Sequence, residues 1–123
     1  MEEQKKTKIM FVMRKPPHGS IYAYEGLEAI LIMGAYAQEV SVVFIDDGVF
    51  TLKKEQDTKP LGVKEFSKTF AALEDYDITN IYADRESLEI RGLTVDDLII
   101  KPKLLEASEI AKIMEEQHTL LPF

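Results

Sequence analysis

The stretch "KIMFVMRKPPHGSIYAYEGLEAILIMGAYAQEVSVVFI", Lys8 to Ile45, decides the fold. Its two ends, Lys8 to Arg14 and Val40 to Ile45, are short, nearly continuous apolar runs rich in β-branched residues. Runs of that kind mark parallel strands covered on both faces. The segment between them is long enough only for a helix, so the stretch is a strand-helix-strand unit with a right-handed crossover. Pro16 and Pro17 stiffen the turn after the first strand, and Gly19 allows the tight reversal into the helix.

Further along, Ile78 to Ala83 and Asp97 to Lys101 read as two more strands, each followed by a helical pattern. In the terminal "HTLLPF", Pro122 cannot donate to a ladder, so a strand there lies at an edge. The alternation implies an α/β fold: a three-layer α/β/α sandwich, Rossmann-like, with a mainly parallel sheet of about five strands. Lys53 to Gly62, with its charges, Pro60 and Gly62, is an exposed connection. Val63, Phe66, Phe70 and Leu73 then form one apolar helical stripe, and Ala107, Ile110, Ala111 and Met114 form another within Glu106 to Gln117. At 123 residues the chain is expected to be one domain, 8–123, behind a charged tail, 1–7.

The first helix differs from these two. Between Leu27 and Ala37 its only charge is Glu28. If Leu27, Ile30, Leu31 and Gly34 face the sheet, with Gly34 allowing close approach, then Ala29, Ile32, Met33 and Tyr36 point elsewhere. A helix apolar all round must be buried all round, and a domain of this size has no second layer to cover it. Those four residues are therefore a candidate subunit interface.

Composition narrows the chemistry. A net charge of -7 with scattered basic residues argues against a nucleic-acid grip, which needs clustered Lys and Arg. The chain has no Cys, which excludes disulfides, thiolate metal sites and a thiol or persulfide carrier. Two His residues make a His-rich metal site a poor reading, and no cofactor is expected. The start "MEEQKKTK" has no apolar core, and no apolar run reaches the roughly 18 residues of a membrane span, so a cytoplasmic location is expected.

In open α/β sheets ligands sit at the carboxyl ends of the strands. Here those ends carry "KPPHGS", "DDGVF" and "ADRES", which brings His18, Gly19, Asp46, Asp47, Asp84 and Arg85 toward one rim. An enzyme would use His18 as a general base oriented by a carboxylate, or an Asp on Mg²⁺; a sensory homo-oligomer would bind a small molecule or anion around His18 and Asp47. Each residue also has an ordinary structural reading. Asp46 and Asp47 suit the turn or N-cap of a short helix at Val49 to Leu52, and Asp84 suits the N-cap of "RESLEI". "PPHGS" holds one Gly and no Gly-Lys-Ser/Thr, so it is a poor phosphate loop. Tyr22 and Tyr24 flank the helix start, where packing against a partner is the simpler role.

Taken in order, "PPHGSIYAYEGLEAIL", "VVFIDDGVFTL" and "SLEIRGL" resemble the TusC/DsrF branch of the DsrE/DsrF-like sulfur-relay family. Pro17, His18 and Gly19 match its Pro-His-Gly turn, and Glu25 to Ala29 match the opening of its first helix. Phe44, Ile45 and Asp47 to Phe50 match its second strand end; Ser87, Leu88 and Arg91 to Leu93 match its Ser-Leu-x-x-Arg-Gly-Leu element. Asp46 stands where the family often has a small residue. The resemblance implies a non-catalytic subunit among related TusB/TusD-like or DsrE/DsrH-like partners, in a heterohexamer or otherwise a homo-oligomer. In such complexes the persulfide Cys belongs to the TusD/DsrE subunit, which this Cys-free chain cannot replace. The pathway implied is tRNA 2-thiolation or dissimilatory sulfur metabolism.

Overall fold

In the computed structural model the apolar run at Lys8–Met13 forms strand β1, and helix α1 spans Tyr22–Ala35. Strand β2 (Glu39–Phe44) leads into a 3₁₀ segment at Asp46–Leu52. Strand β3 (Asn80–Asp84), helix α2 (Arg85–Ile90), strand β4 (Lys103–Leu105), helix α3 (Ala107–Glu115) and strand β5 (Thr119–Pro122) follow. The structure describes residues 7–16, 22–35, 39–53, 73, 78 and 80–123, with backbone alone at 22–24 and 35. The stripe residues Val63, Phe66 and Phe70, the loop 54–62 and tail residues 1–6 lie outside them.

All five strands are parallel, in the order β4-β3-β2-β1-β5. From β1 the chain moves stepwise to β2, β3 and β4, then crosses back over the sheet to β5 at the far edge. Right-handed crossovers running in one direction place their helices on one face, and the reversed crossover places its helix on the other. The two cores follow that rule. One contains Phe11, Met13, Val42, Phe44 and Ile81 beneath Leu27 and Ile30 of α1 and Leu88 of α2. The other contains Met10, Val12, Val43 and Leu105 beneath Ile110 of α3. The register pairs Phe11 with Val42 and Val42 with Ile81, and the neighbouring residues Val12, Val43 and Tyr82 form the matching row on the opposite face. Continuous apolar strands are what a sheet covered on both faces requires.

Strand β5 occupies an edge, as Pro122 demands. Its end is anchored by Phe123, which donates its N–H to Val12 at 2.8 Å and stacks its ring on Phe11 with centroids 6.0 Å apart. On the α3 side, burial raises the hydroxyl pKa of Tyr82 above its ordinary value, and the nearby charges of Glu116 and Glu39 push it the same way.

One sequence expectation is corrected. The strand placed at Asp97 to Lys101 lies instead at Lys103–Leu105. Asp97 closes a 3₁₀ turn, accepting the Thr94 N–H at 2.8 Å, and Leu98 then makes an antiparallel bridge to Lys53. Leu98 is buried, so its hydrophobicity was real, but the backbone there does not join the parallel ladder. On α1, Gly26 makes a close approach: an added Cβ there would lie 2.9 Å from Met13 Sδ and 3.1 Å from Phe123 Cγ.

Candidate functional site

Parallel strands bring all their carboxyl ends to one rim, and there the short segments after β1, β2 and β3 interlock. Gly48 sits so close to the end of β1 that an added Cβ would lie 1.8 Å from the Met13 carbonyl oxygen. That same carbonyl accepts the Ile45 N–H at 3.1 Å. Asp46 adopts a left-handed backbone, φ 50°, a conformation that costs a non-glycine residue energy but is best tolerated by Asp and Asn. Of the turn and N-cap roles read for Asp46 and Asp47, the turn is taken, with the Gly48 N–H donating across them to the Ile45 carbonyl at 2.9 Å, while the cap position of the 3₁₀ segment is held by Ile45 with no side-chain cap. Instead the Asp46 N–H donates to Ser87 Oγ at 2.9 Å.

Ser87 is the hinge of the rim. Its hydroxyl donates to Asp84 Oδ2 at 2.6 Å, and its N–H donates to the same oxygen at 3.2 Å. Asp84 therefore caps α2, as its place before "RESLEI" predicts. Helix α2 ends on Gly92 at φ 69°, with the Leu93 N–H returning to the Leu88 carbonyl at 2.9 Å and Gly92 to Glu89 at 3.1 Å, a Schellman closure. That closure leaves Arg91 free to reach across: Nε donates to Asp47 Oδ1 at 3.1 Å, and NH1 donates to the Ser87 carbonyl at 3.1 Å.

The rim is thus a ring of paired charges. Arg14 faces Asp46 at 3.7 Å, Arg91 faces Asp47 at 3.1 Å, and Arg85 faces Glu106 at 2.8 Å. The first and third are half-exposed or more, so they tune the surface potential and add little to stability, about 0–1 kcal/mol each. Between the ends of β2 and β3 and helix α3 lies a cleft of about 200 Å³ with mainly apolar walls.

Of the residues the sequence placed at this rim, Asp46, Asp47, Asp84 and Arg85 are there, while His18 and Gly19 lie outside the described residues. The backbone of Tyr22 opens α1, and its side chain is outside them, as is that of Tyr24. On α1, Ile32 is 57% exposed, whereas Ala29 and Met33 are half-buried and pack against the core; Tyr36 is not among the described residues. Sequence reasoning gave no role to Ser87, Arg91, Arg14 or Glu106. Ser87 and Arg91 stood within the "SLEIRGL" element, and the structure shows why that element and "DDGVF" belong together: they are bonded to each other. Among the described residues there is no group of three or more His, Cys, Asp or Glu able to hold a metal, and no helix long and apolar enough to cross a membrane.

The model of the DsrE/DsrF-like family matches residues 7–123. The chain belongs to that family. Within it, the chain is 54% identical over 92 residues to intracellular sulfur oxidation protein DsrF of Allochromatium vinosum, covering 75% of this chain and 68% of that one. It is 32% identical over 117 residues to a TusC homolog of Vibrio vulnificus, covering 95% and 99% of the two chains. The fold of this DsrE/DsrF-like chain matches the crystal structure of the ychN protein from E. coli, with a TM-score of 0.80 at 16% identity over 95% of this chain and 99% of that one. A protein of unknown function from Methanobacterium thermoautotrophicum, MTH1491, matches with a TM-score of 0.68 at 15% identity, covering 95% and 100%.

Proposed function

We propose that the chain is a non-catalytic subunit of a sulfur-relay complex, which positions a Cys-bearing partner subunit in tRNA 2-thiolation or in dissimilatory sulfur metabolism. The observation that carries this reading is the combination of DsrF and TusC relatives with a chain that has no Cys. A persulfide needs a thiolate sulfur to attach to, so sulfur must ride on another subunit. What remains for this chain is to shape and hold the surface on which that subunit works.

The structure supports a role carried by surfaces. The rim's three arginines are paired with Asp46, Asp47 and Glu106, and its serine is buried as the bridge between Asp84 and the Asp46 backbone. Buried between the Asp84 carboxylate and the Asp46 N–H, the Ser87 hydroxyl holds the rim together and is closed to a substrate. Ile32 on α1 provides an apolar contact point for assembly, with Ala29 and Met33 beneath it. We assign the complex to the cytoplasm, with related relay subunits as partners.

The test is to purify the tagged chain from its native host and weigh the complex by native mass spectrometry. The reading expects stoichiometric association with related chains, at least one carrying a Cys that accepts persulfide. A chain that purifies alone at monomer mass would contradict it.

A further inference from the structure

The sheet ends in two edges, β4 and β5, and they are finished differently. An open edge presents unpaired N–H and C=O groups, which proteins blunt with charge, proline or brevity. Strand β4 has three residues, follows Pro102 and exposes Lys103. From Thr119 to Phe123, by contrast, no side chain is charged, and Leu120 keeps 43% of its surface in water.

Pro122 does not close the β5 edge, because of the side it faces. Along a strand, successive residues turn their N–H and C=O groups to alternate sides. The His118 N–H donates to the Lys8 carbonyl at 2.9 Å, so His118, Leu120 and Pro122 address β1, while Thr119 and Leu121 address the open side. The donor that Pro122 lacks is therefore one that β1 would have received. Phe123 supplies it instead, donating to the Val12 carbonyl at 2.8 Å. Among the described residues, nothing pairs with the outward N–H and C=O groups of Thr119 and Leu121.

Two outward residues spaced this way are complementary to a copy of themselves. In an antiparallel pair, opposed residues alternate between those that exchange two hydrogen bonds and those that exchange none. With Leu120 set opposite Leu120, Thr119 of each strand lies opposite Leu121 of the other. Both of those pairs then exchange two bonds, and every outward group of the two edges is satisfied. A shift of two residues in either direction sets an outward residue against Gln117 or Phe123, whose N–H groups are already given to Met114 and Val12. Leu120 sits in register with Met10 of the α3-side core, and residues opposed without hydrogen bonds approach closest, with Cα atoms about 4.5 Å apart. The two exposed leucines then cover each other.

We propose that the β5 edge is the contact surface for a second copy of this chain, paired antiparallel about a two-fold axis at Leu120, so that one sheet runs through both copies. The contact is isologous, as a closed dimer requires. Because the edge from Thr119 to Phe123 has no charged side chain, the net charge of -7 on each copy is not concentrated where they meet. The surface is separate from Ile32 on α1, which stays free for related subunits, so the inference goes beyond the relay reading and does not rest on it.

The experiment combines analytical ultracentrifugation of the full chain with amide hydrogen exchange read by NMR. A contact this small belongs with interfaces below about 1,200 Å², so the dimer is expected to form between about 10 µM and 1 mM. In the concentrated sample the Thr119 and Leu121 amides should exchange about tenfold more slowly than in the dilute one, while Leu120, bonded to β1 in either state, is protected in both. Leu120→Lys sets two ammonium groups against each other at the axis and should weaken the dimer at least about tenfold. Thr119→Pro removes an outward donor without touching the bonds to β1 and should have a similar effect. Ile32→Asp should leave the dimer unchanged. A chain that stays monomeric at the highest of these concentrations, a dimer whose Thr119 and Leu121 amides exchange as in the monomer, or a dimer indifferent to Leu120→Lys and Thr119→Pro overturns the proposal. Protection of those two amides that arises only on adding a related relay subunit gives the edge to that subunit and overturns the second-copy assignment, with the relay reading left standing.

Discussion

Gly48→Ala is the smallest change that should unlock the rim. The added methyl carbon would lie 1.8 Å from the Met13 carbonyl oxygen, 2.5 Å from its carbon and 3.1 Å from the Arg14 nitrogen. All three are backbone atoms, so no side chain can rotate away, and relief requires the end of β1 and the 3₁₀ segment to separate. Overpacking in a well-filled core costs about 1–3 kcal/mol when side chains can adjust, and a backbone obstacle belongs at or above the top of that range. A loss of about 3 kcal/mol lowers the melting temperature of a domain of this size by roughly 10 °C. Two other glycines serve as controls. Gly92→Ala meets nothing within 4 Å but must hold φ at 69°, which costs about 1–2 kcal/mol. Gly26→Ala presses on the flexible end of Met13 and the Phe123 ring while gaining up to about 1 kcal/mol of helix propensity, so its net effect should be near zero. Urea and thermal melts followed by circular dichroism give all three. Should Gly48→Ala melt within a few degrees of Gly26→Ala, the close packing of the 3₁₀ segment on β1 is wrong.

Asp84→Ala removes both the cap of α2 and the acceptor of the Ser87 hydroxyl, and should cost about 1–2 kcal/mol in a urea melt, with Asp84→Asn retaining most of it. Tyr82 has a raised pKa, so the fold favours its neutral form; its contribution is complete below the ordinary value of 10.0 and is lost as pH rises through the folded value. Tyrosinate absorbance should show one of the five tyrosines titrating late, and Tyr82→Phe should flatten the alkaline loss of stability. Ile32→Asp changes a surface position and should shift stability by less than about 0.5 kcal/mol while lowering the mass of the assembled complex in light scattering.

How far the sequence could be read depended on which interaction dominated each segment. Strands β1 and β2 were legible because burial on both faces writes itself as a nearly unbroken apolar run, β3 because Ile81 to Ala83 ends in the polar Asp-Arg-Glu-Ser that opens a helix, and β5 because Pro122 tolerates only an edge. Strand β4 was not, since its three residues lie between Pro102 and Glu106 with Lys103 exposed, while the more apolar Leu98 to Ile100 packs against the core without joining the ladder. At the rim, the rule that parallel strands share their carboxyl ends placed Asp46, Asp47, Asp84 and Arg85 correctly. It could not pair them, because the partners Arg14, Arg91 and Glu106 come from three different elements whose approach is a tertiary matter. Gly48 was hidden for another reason: an Asp-Asp-Gly turn already explains a glycine, so nothing pointed to the carbonyl it makes room for.

In the proposed relay role this chain organises sulfur transfer without carrying sulfur. That role is tested most directly by loading the Cys-bearing relay subunit of the same host with radiolabelled persulfide and following transfer to its acceptor with and without this chain. Faster transfer is expected when the chain is present, with no label ever bound to it. Transfer that proceeds equally well in its absence, or label found covalently on the chain itself, would contradict that role.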